Sequence, residues 1–136
     1  MWNVAELNLS LTMLTFLNIL LTIIHVTLTL FNLTGWIWKR TRKLHLVTLG
    51  LTLLSWVVLG FWYGWGYCVL TDWHWKVKEQ LGERNLPASF IKYYADKISG
   101  KNFDPSLVDK VTLVCLIFAV TAAVYVNFIR RKKASG

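Results

Sequence analysis

The chain has 136 residues, 55% of them hydrophobic, with a mean hydropathy of +0.46 and a net charge of +8. The apolar residues come in long unbroken blocks instead of alternating with polar ones, which excludes an ordinary soluble domain. The charge does not point to nucleic acid, because the excess sits in two short clusters against the ends of apolar blocks. These are Lys39, Arg40, Arg42 and Lys43, then Arg130, Arg131, Lys132 and Lys133, places that signal topology and attract anionic lipid headgroups.

Residues 9–33 form a run of 25 without an acid, lysine or arginine, long enough to cross a bilayer, which needs about 20 apolar residues. Glu6 and the absence of a preceding basic residue argue for a retained span instead of a signal peptide. Thr15, Asn18, Thr22, His25, Thr29 and Asn32 recur along it at alternating spacings of three and four. That period defines one helix face. Polar groups in hydrocarbon need partners, so the face is expected to contact a neighbouring helix, a partner protein or a ligand.

A second span is expected over about 44–70, with its own polar face of His45, Thr48, Thr52 and Ser55. The short connection between the two spans makes them antiparallel neighbours, and the second stripe is the natural partner of the first. Gly60 and Gly64 form a GxxxG pattern that permits close helix packing. Trp36 and Trp38 beside the first basic cluster, and Trp62, Tyr63, Trp65, Tyr67, Trp73 and Trp75 at the other end, read as interfacial belts.

The segment 71–104 predicts two short amphipathic helices. Thr71 is expected to cap the first, in which Trp73, Val77 and Leu81 repeat every fourth residue, and Gly82 to end it. Phe90, Ile91, Tyr94, Ala95 and Ile98 mark the second, closed by Gly100. Both are expected to cap the bundle or lie on the membrane surface. Asp104 and Pro105 read as N-cap and first-turn proline of a third helix, whose span is expected over about 107–129.

The expected fold is all-α and polytopic: residues 1–136 as one membrane domain with three transmembrane helices and two outer amphipathic ones. Both basic clusters belong on the cytoplasmic side, giving N-terminus out and C-terminus in. Cys68 and Cys115 then lie toward the same side, either bonded or, as expected, free buried thiols. The chain has no CxxC and no Cys/His cluster at metal spacing. No metal site is expected.

His25 lies some ten residues inside the first span, roughly 15 Å deep at the helical rise, whereas His45 opens the second. The two are poorly placed to share one heme or metal within a monomer. A symmetric dimer pairing two copies of His25 keeps bis-histidine heme open, and a quinone or proton-relay role is the other functional alternative. The plain alternative is a neutral imidazole bonded to a neighbouring Thr or Asn. Cys68, Asp72 and His74 hold the residue types of nucleophilic catalysis, but 68 and 72 align on a helix face while 74 points elsewhere. No catalytic residue is assigned.

The stretch from Arg42, Lys43, Leu44 and His45 through Gly66, Tyr67, Cys68, Val69, Leu70 and Thr71 to Ser89, Phe90 and Ile91 resembles DUF2784, a family of small bacterial membrane proteins of unknown function. The family pattern has an Arg/His entry to its second span, a Cys-Pro-Leu-Thr motif at the exit, then a glycine and an aromatic-Ile pair opening a short helix. Cys68, Leu70, Thr71, Gly82, Phe90 and Ile91 match it. Val69 replaces the proline, and Trp75 or His74 stands where an acid is usual. The resemblance covers roughly residues 25–98 and implies a bacterial inner-membrane setting, without supplying an activity.

The resulting expectation is a non-enzymatic accessory or scaffold subunit of a larger membrane assembly. Its expected partners are the bilayer, anionic headgroups at the basic clusters, and a membrane protein or further copies of itself, with no nucleic acid. The alternatives are a heme- or quinone-binding redox protein using His25, and a small transporter or channel component.

Overall fold

The structure, a computed structural model, describes residues 3–64 and 67–130. Among them there are five helices and no strand: α1 Val4–Thr34, α2 Arg42–Tyr63, α3 Val69–Gln80, α4 Phe90–Ser99 and α5 Pro105–Ile129. α1, α2 and α5 are long and apolar enough to cross a membrane. They run in alternating directions, so that the loop after α1, the start of α2 and Arg130 share one end, the basic end.

The turn at the basic end is tight, and its side chains close it. Thr41 donates through its hydroxyl to the Gly35 carbonyl at 2.8 Å. Arg42 Nε donates to the Trp36 carbonyl at 3.1 Å. Trp36 is half-buried with its indole N–H on the Leu33 carbonyl and its ring edge-on to Phe118, whereas Trp38 is exposed, as a belt residue should be.

Gly35, at the end of α1, is buried against the start of α2. A β-carbon there would stand 2.7 Å from the Phe31 carbonyl oxygen and 2.9 Å from the His45 ring. Gly35→Ala is therefore expected to cost about 1–3 kcal/mol through overpacking. A shift of the SDS unfolding midpoint of the detergent-solubilised protein measures it, and an unchanged midpoint would show that the turn yields freely.

The expected second span of 44–70 is shorter as a helix. α2 passes through a single π turn at Ser55–Leu59 and ends at Tyr63, because Gly64 takes φ +109, a left-handed value open to glycine. Gly60 is buried inside the helix, but Gly64 lies beyond its end. The pair therefore does not form the two-residue packing notch that GxxxG describes. The chain turns back toward α2 instead: Ser55 donates to the Tyr67 carbonyl at 2.9 Å.

α3 begins one turn earlier than expected, with Cys68 at the N-cap and Thr71 buried inside the helix. Its buried face is Thr71, His74 and Lys78, while Trp73 is exposed. Ser89 caps α4 by accepting from the Lys92 N–H, and Gly100 ends it at φ +69. Phe90 and Lys92 are its buried residues, whereas Ile98 is exposed. Asp104 caps α5 by accepting from the Leu107 N–H, with Pro105 in the first turn as expected.

Few apolar side chains are buried: Leu49, Ala119 and Ala123 form one cluster, with Leu46, Leu116 and Val120 against it. The two alanines let α5 approach α2 closely. Beside this contact lies an apolar hollow of about 280 Å³ lined by Leu53, Leu113, Leu116, Ile117, Val120 and Thr121. Cys68 and Cys115 are free, so neither closes a loop.

Candidate polar site along α1

The polar face of α1 is met by two different sets of neighbours. At the basic end α2 meets it. Asn32 donates from Nδ2 to the Thr52 hydroxyl at 2.8 Å, and His45 Nε2 donates to the Asn32 carbonyl at 2.7 Å. Thr52 in turn donates to the Thr48 carbonyl at 2.9 Å, and Thr48 to the His45 carbonyl. The expected pairing of the two stripes holds here for His45, Thr52 and Asn32.

Farther along, α2 gives way to the outer helices. His74 of α3 donates from Nε2 to Asn18 Oδ1 at 2.8 Å, with the Thr22 hydroxyl oxygen 3.3 Å from the same nitrogen. Thr22 spends its own proton on the Asn18 carbonyl, so the Tyr94 hydroxyl of α4 donates to it, at 3.0 Å. His25 has no hydrogen bond; Phe90 lies flat against it with ring centroids 3.7 Å apart and planes within 9°. Phe90 also contacts the rings of His74, Trp75 and Tyr94. Of the remaining stripe residues, Thr15 is exposed and bonds only its own helix backbone, and Thr29 is half-buried.

Two fasteners hold this cap in place. Trp75 donates its indole N–H to the Pro87 carbonyl at 2.6 Å, tying α3 to the turn before α4. Lys78, 1% exposed, reaches Glu83 and the Tyr93 hydroxyl, both at 3.3 Å, and its ammonium lies 4.7 Å above the Tyr93 ring. Tyr93 completes the triangle by donating to Glu83 at 2.6 Å. Lys92 is likewise enclosed by Asp96 and Asn102.

His74 lies outside the three spans, and its pKa is lowered to about 4, first by burial and then by the nearby Lys78 charge, with Glu83 opposing. It is neutral at neutral pH. Because its Nε2 carries the proton given to Asn18, its Nδ1 is a bare acceptor, and that atom is buried without a partner. The same holds for His45 Nδ1, and Asn32 Oδ1 and His25 Nδ1 are also buried and unpartnered. Each such atom costs about 1–3 kcal/mol if nothing meets it.

The geometry bears on the heme alternative. His25 is enclosed by Phe90, and His74 Nε2 is engaged by α1. Phe90 of α4 covers one face of the His25 ring, so a bis-histidine site across a dimer axis would have to form at the edge of that ring. No group of three or more His, Cys, Asp or Glu residues is arranged to hold a metal ion among the described residues. The motif residues divide between the ends of α2. Arg42 and His45 brace the basic-end turn, while half-buried Cys68 and Leu70 and buried Thr71 open α3.

His74, Phe90, Tyr94 and Lys78 are the residues that the stripe's pattern alone did not supply. Their signal was present: 71, 74 and 78 are spaced as one helix face, but it is polar, and periodicity marks the apolar residues 73, 77 and 81 instead. A polar stripe selects a polar partner face.

No curated protein and no solved structure matches the chain. A family model described as protein of unknown function, DUF2784, matches residues 15–128, which take in α1 from Thr15 onward, α2, both outer helices, nearly all of α5 and every residue of the polar line described above. The chain belongs to the DUF2784 family.

Proposed function

We propose that the protein is a small non-enzymatic accessory or scaffold subunit of a larger assembly in the bacterial inner membrane, with its basic end cytoplasmic. The observation that carries this reading is the length of α1. Asn32 pairs with Thr52, and α2 stops at Tyr63. α1 therefore runs on for roughly 15 residues, on the order of 20 Å, past the level where α2 ends. α3 and α4 cover only the nearer part. Every residue from Asn3 to Met13 is exposed, among them Val4, Leu7, Leu9, Leu11 and Met13.

A whole helix of 31 residues is about 46 Å long, against a hydrocarbon core of about 30 Å. Tilt alone would have to approach 50° to absorb the difference, beyond the usual range of about 0–40°. An apolar helix of a membrane partner, laid along residues 4–13, would cover what the chain leaves bare. The docking surface is thus the overhanging end of α1, with the polar line held inside the subunit.

Site-specific photocrosslinking in native membranes tests this. A benzophenone amino acid at Leu9 or Met13 is expected to yield an adduct with a protein of different mass, while one at lipid-facing Val124 on α5 yields none. Lipid adducts alone at all three positions would overturn the reading. An adduct of twice the chain mass would replace the hetero-assembly by a homo-oligomer.

A further inference from the structure

All three histidines of the chain are buried: His25 is 8% exposed, and His45 and His74 are 0%. Among the described residues, the buried side-chain nitrogens and oxygens without a partner are His25 Nδ1, Asn32 Oδ1, His45 Nδ1 and His74 Nδ1. All four belong to one line. His74 sits at Asn18 and Thr22, His25 follows one turn on, and Asn32 with His45 lies two turns beyond that. From Asn18 to Asn32 the line covers about 20 Å of a core about 30 Å thick.

The chemistry of the unmet atoms is one-sided. His74 and His45 both donate through Nε2, so their Nδ1 atoms are acceptors, and Asn32 Oδ1 can only accept. A row of acceptors is satisfied by a species that brings protons, and water is the smallest that does so. Thr29 stands between His25 and Asn32 with no hydrogen bond from its hydroxyl, whereas Thr15, Thr22 and Thr34 each donate to the carbonyl four residues back. It therefore has a hydroxyl to give to the same file.

We infer that this line is a hydrated proton path through the single chain, entered beside His74 and Tyr94 and left at His45. His74 and His45 keep their Nε2 protons on Asn18 and Asn32, and each ring takes a proton from one water on Nδ1 and passes it from the same atom to the next, so that it ends in the tautomer in which it began. One proton moves down its electrochemical gradient, with no oxidant or reductant consumed. The fixed charges beside the path are Lys78 and Glu83 at His74, and Arg42 and Lys43 one turn from His45. Ionisable groups inside membranes commonly mark such routes. The path needs no partner, so its test is separate from that of the docking surface.

The experiment uses the full chain, purified and reconstituted into phosphatidylcholine–phosphatidylglycerol vesicles that hold a pH-sensitive dye, with a valinomycin-set potassium potential as the driving force. Acidification is expected to be several-fold faster than in protein-free vesicles. It should fall to the protein-free rate in His25→Phe and in Thr29→Val, and stay at the wild-type rate in Thr121→Val, whose hydroxyl bonds its own helix on another face. Thr29→Val breaks no hydrogen bond of the fold, so it remains decisive if His25→Phe fails to fold. Wild-type vesicles no faster than empty ones, or an undiminished rate in Thr29→Val, would overturn the path.

Discussion

Phe90→Ala is expected to destabilise the cap by about 3–5 kcal/mol, the range for deleting a buried phenylalanine. Phe90 is 7% exposed and touches His25, His74, Trp75 and Tyr94 at once. Its removal leaves a cavity where three elements meet. The loss is local, because the α1–α2 and α2–α5 contacts lie elsewhere. Limited trypsin digestion reads it directly. Lys92, enclosed by Asp96 and Asn102 in the native cap, should become a fast cleavage site while the helices of the bundle stay intact. If Lys92 stays as protected as in the wild type, Phe90 is not what holds α4 to α1.

The second large effect is acid opening of the same cap. Burial and Lys78 lower the folded-state pKa of His74 from 6.5 to about 4. The opened cap therefore binds a proton below about 6.5 that the closed one refuses. His74 contributes its full stabilisation above pH 6.5 and loses it as the pH falls from 6.5 toward 4. At about 1.4 kcal/mol per pH unit the loss is on the order of 3 kcal/mol. Two carboxylates of the cap region are shifted downward. Lys92 holds Asp96 below the usual range, and at Glu83 burial is outweighed by the Tyr93 hydroxyl and Lys78. Backbone hydrogen exchange of α3 and α4 in detergent, followed between pH 7.5 and 4, is expected to speed up steeply as acid is added, after correction for intrinsic exchange. His74→Gln keeps a donor for Asn18 and cannot take up the proton, so its profile should be flat. A wild-type profile as flat as that of the variant would place the His74 pKa near its ordinary value.

These two predictions turn on contacts that differ in how legible they are from the sequence. The polar face from Thr15 to Asn32 was legible, because the spacing of polar residues in an apolar run depends only on helical period. So was the meeting of His45 and Thr52 with Asn32, since a short connection forces antiparallel neighbours. The cap on Asn18, Thr22 and His25 was not. α3 and α4 both carry an apolar and a polar side, and local pattern favours burying the apolar one. What decides is which surface the helix meets. Against lipid the Trp73 side would be inward, but against the Asn18–Thr22 surface of α1 the Thr71–His74–Lys78 side gains hydrogen bonds that lipid cannot supply.

The end of α2 follows the same division. Gly64 was visible as a glycine in a helical pattern, and close packing and a left-handed break are equally open to that residue. Only the return of the chain to Ser55, sealed by its bond to the Tyr67 carbonyl, selects the break.

By itself the sequence determined that the chain is all-helical, that three helices are long and apolar enough to span a bilayer, and that one of them carries a face that must find polar company. Those properties follow from composition and period, which are local. The tertiary structure alone decided who that company is: α2 for one half of the face, and the histidine, tyrosine and phenylalanine of two short helices for the other. The physical reason is that hydrocarbon makes a partner obligatory for a buried polar group but does not say which, so the choice falls to whichever helix the turns at Gly64, Gly82 and Gly100 bring within hydrogen-bond reach.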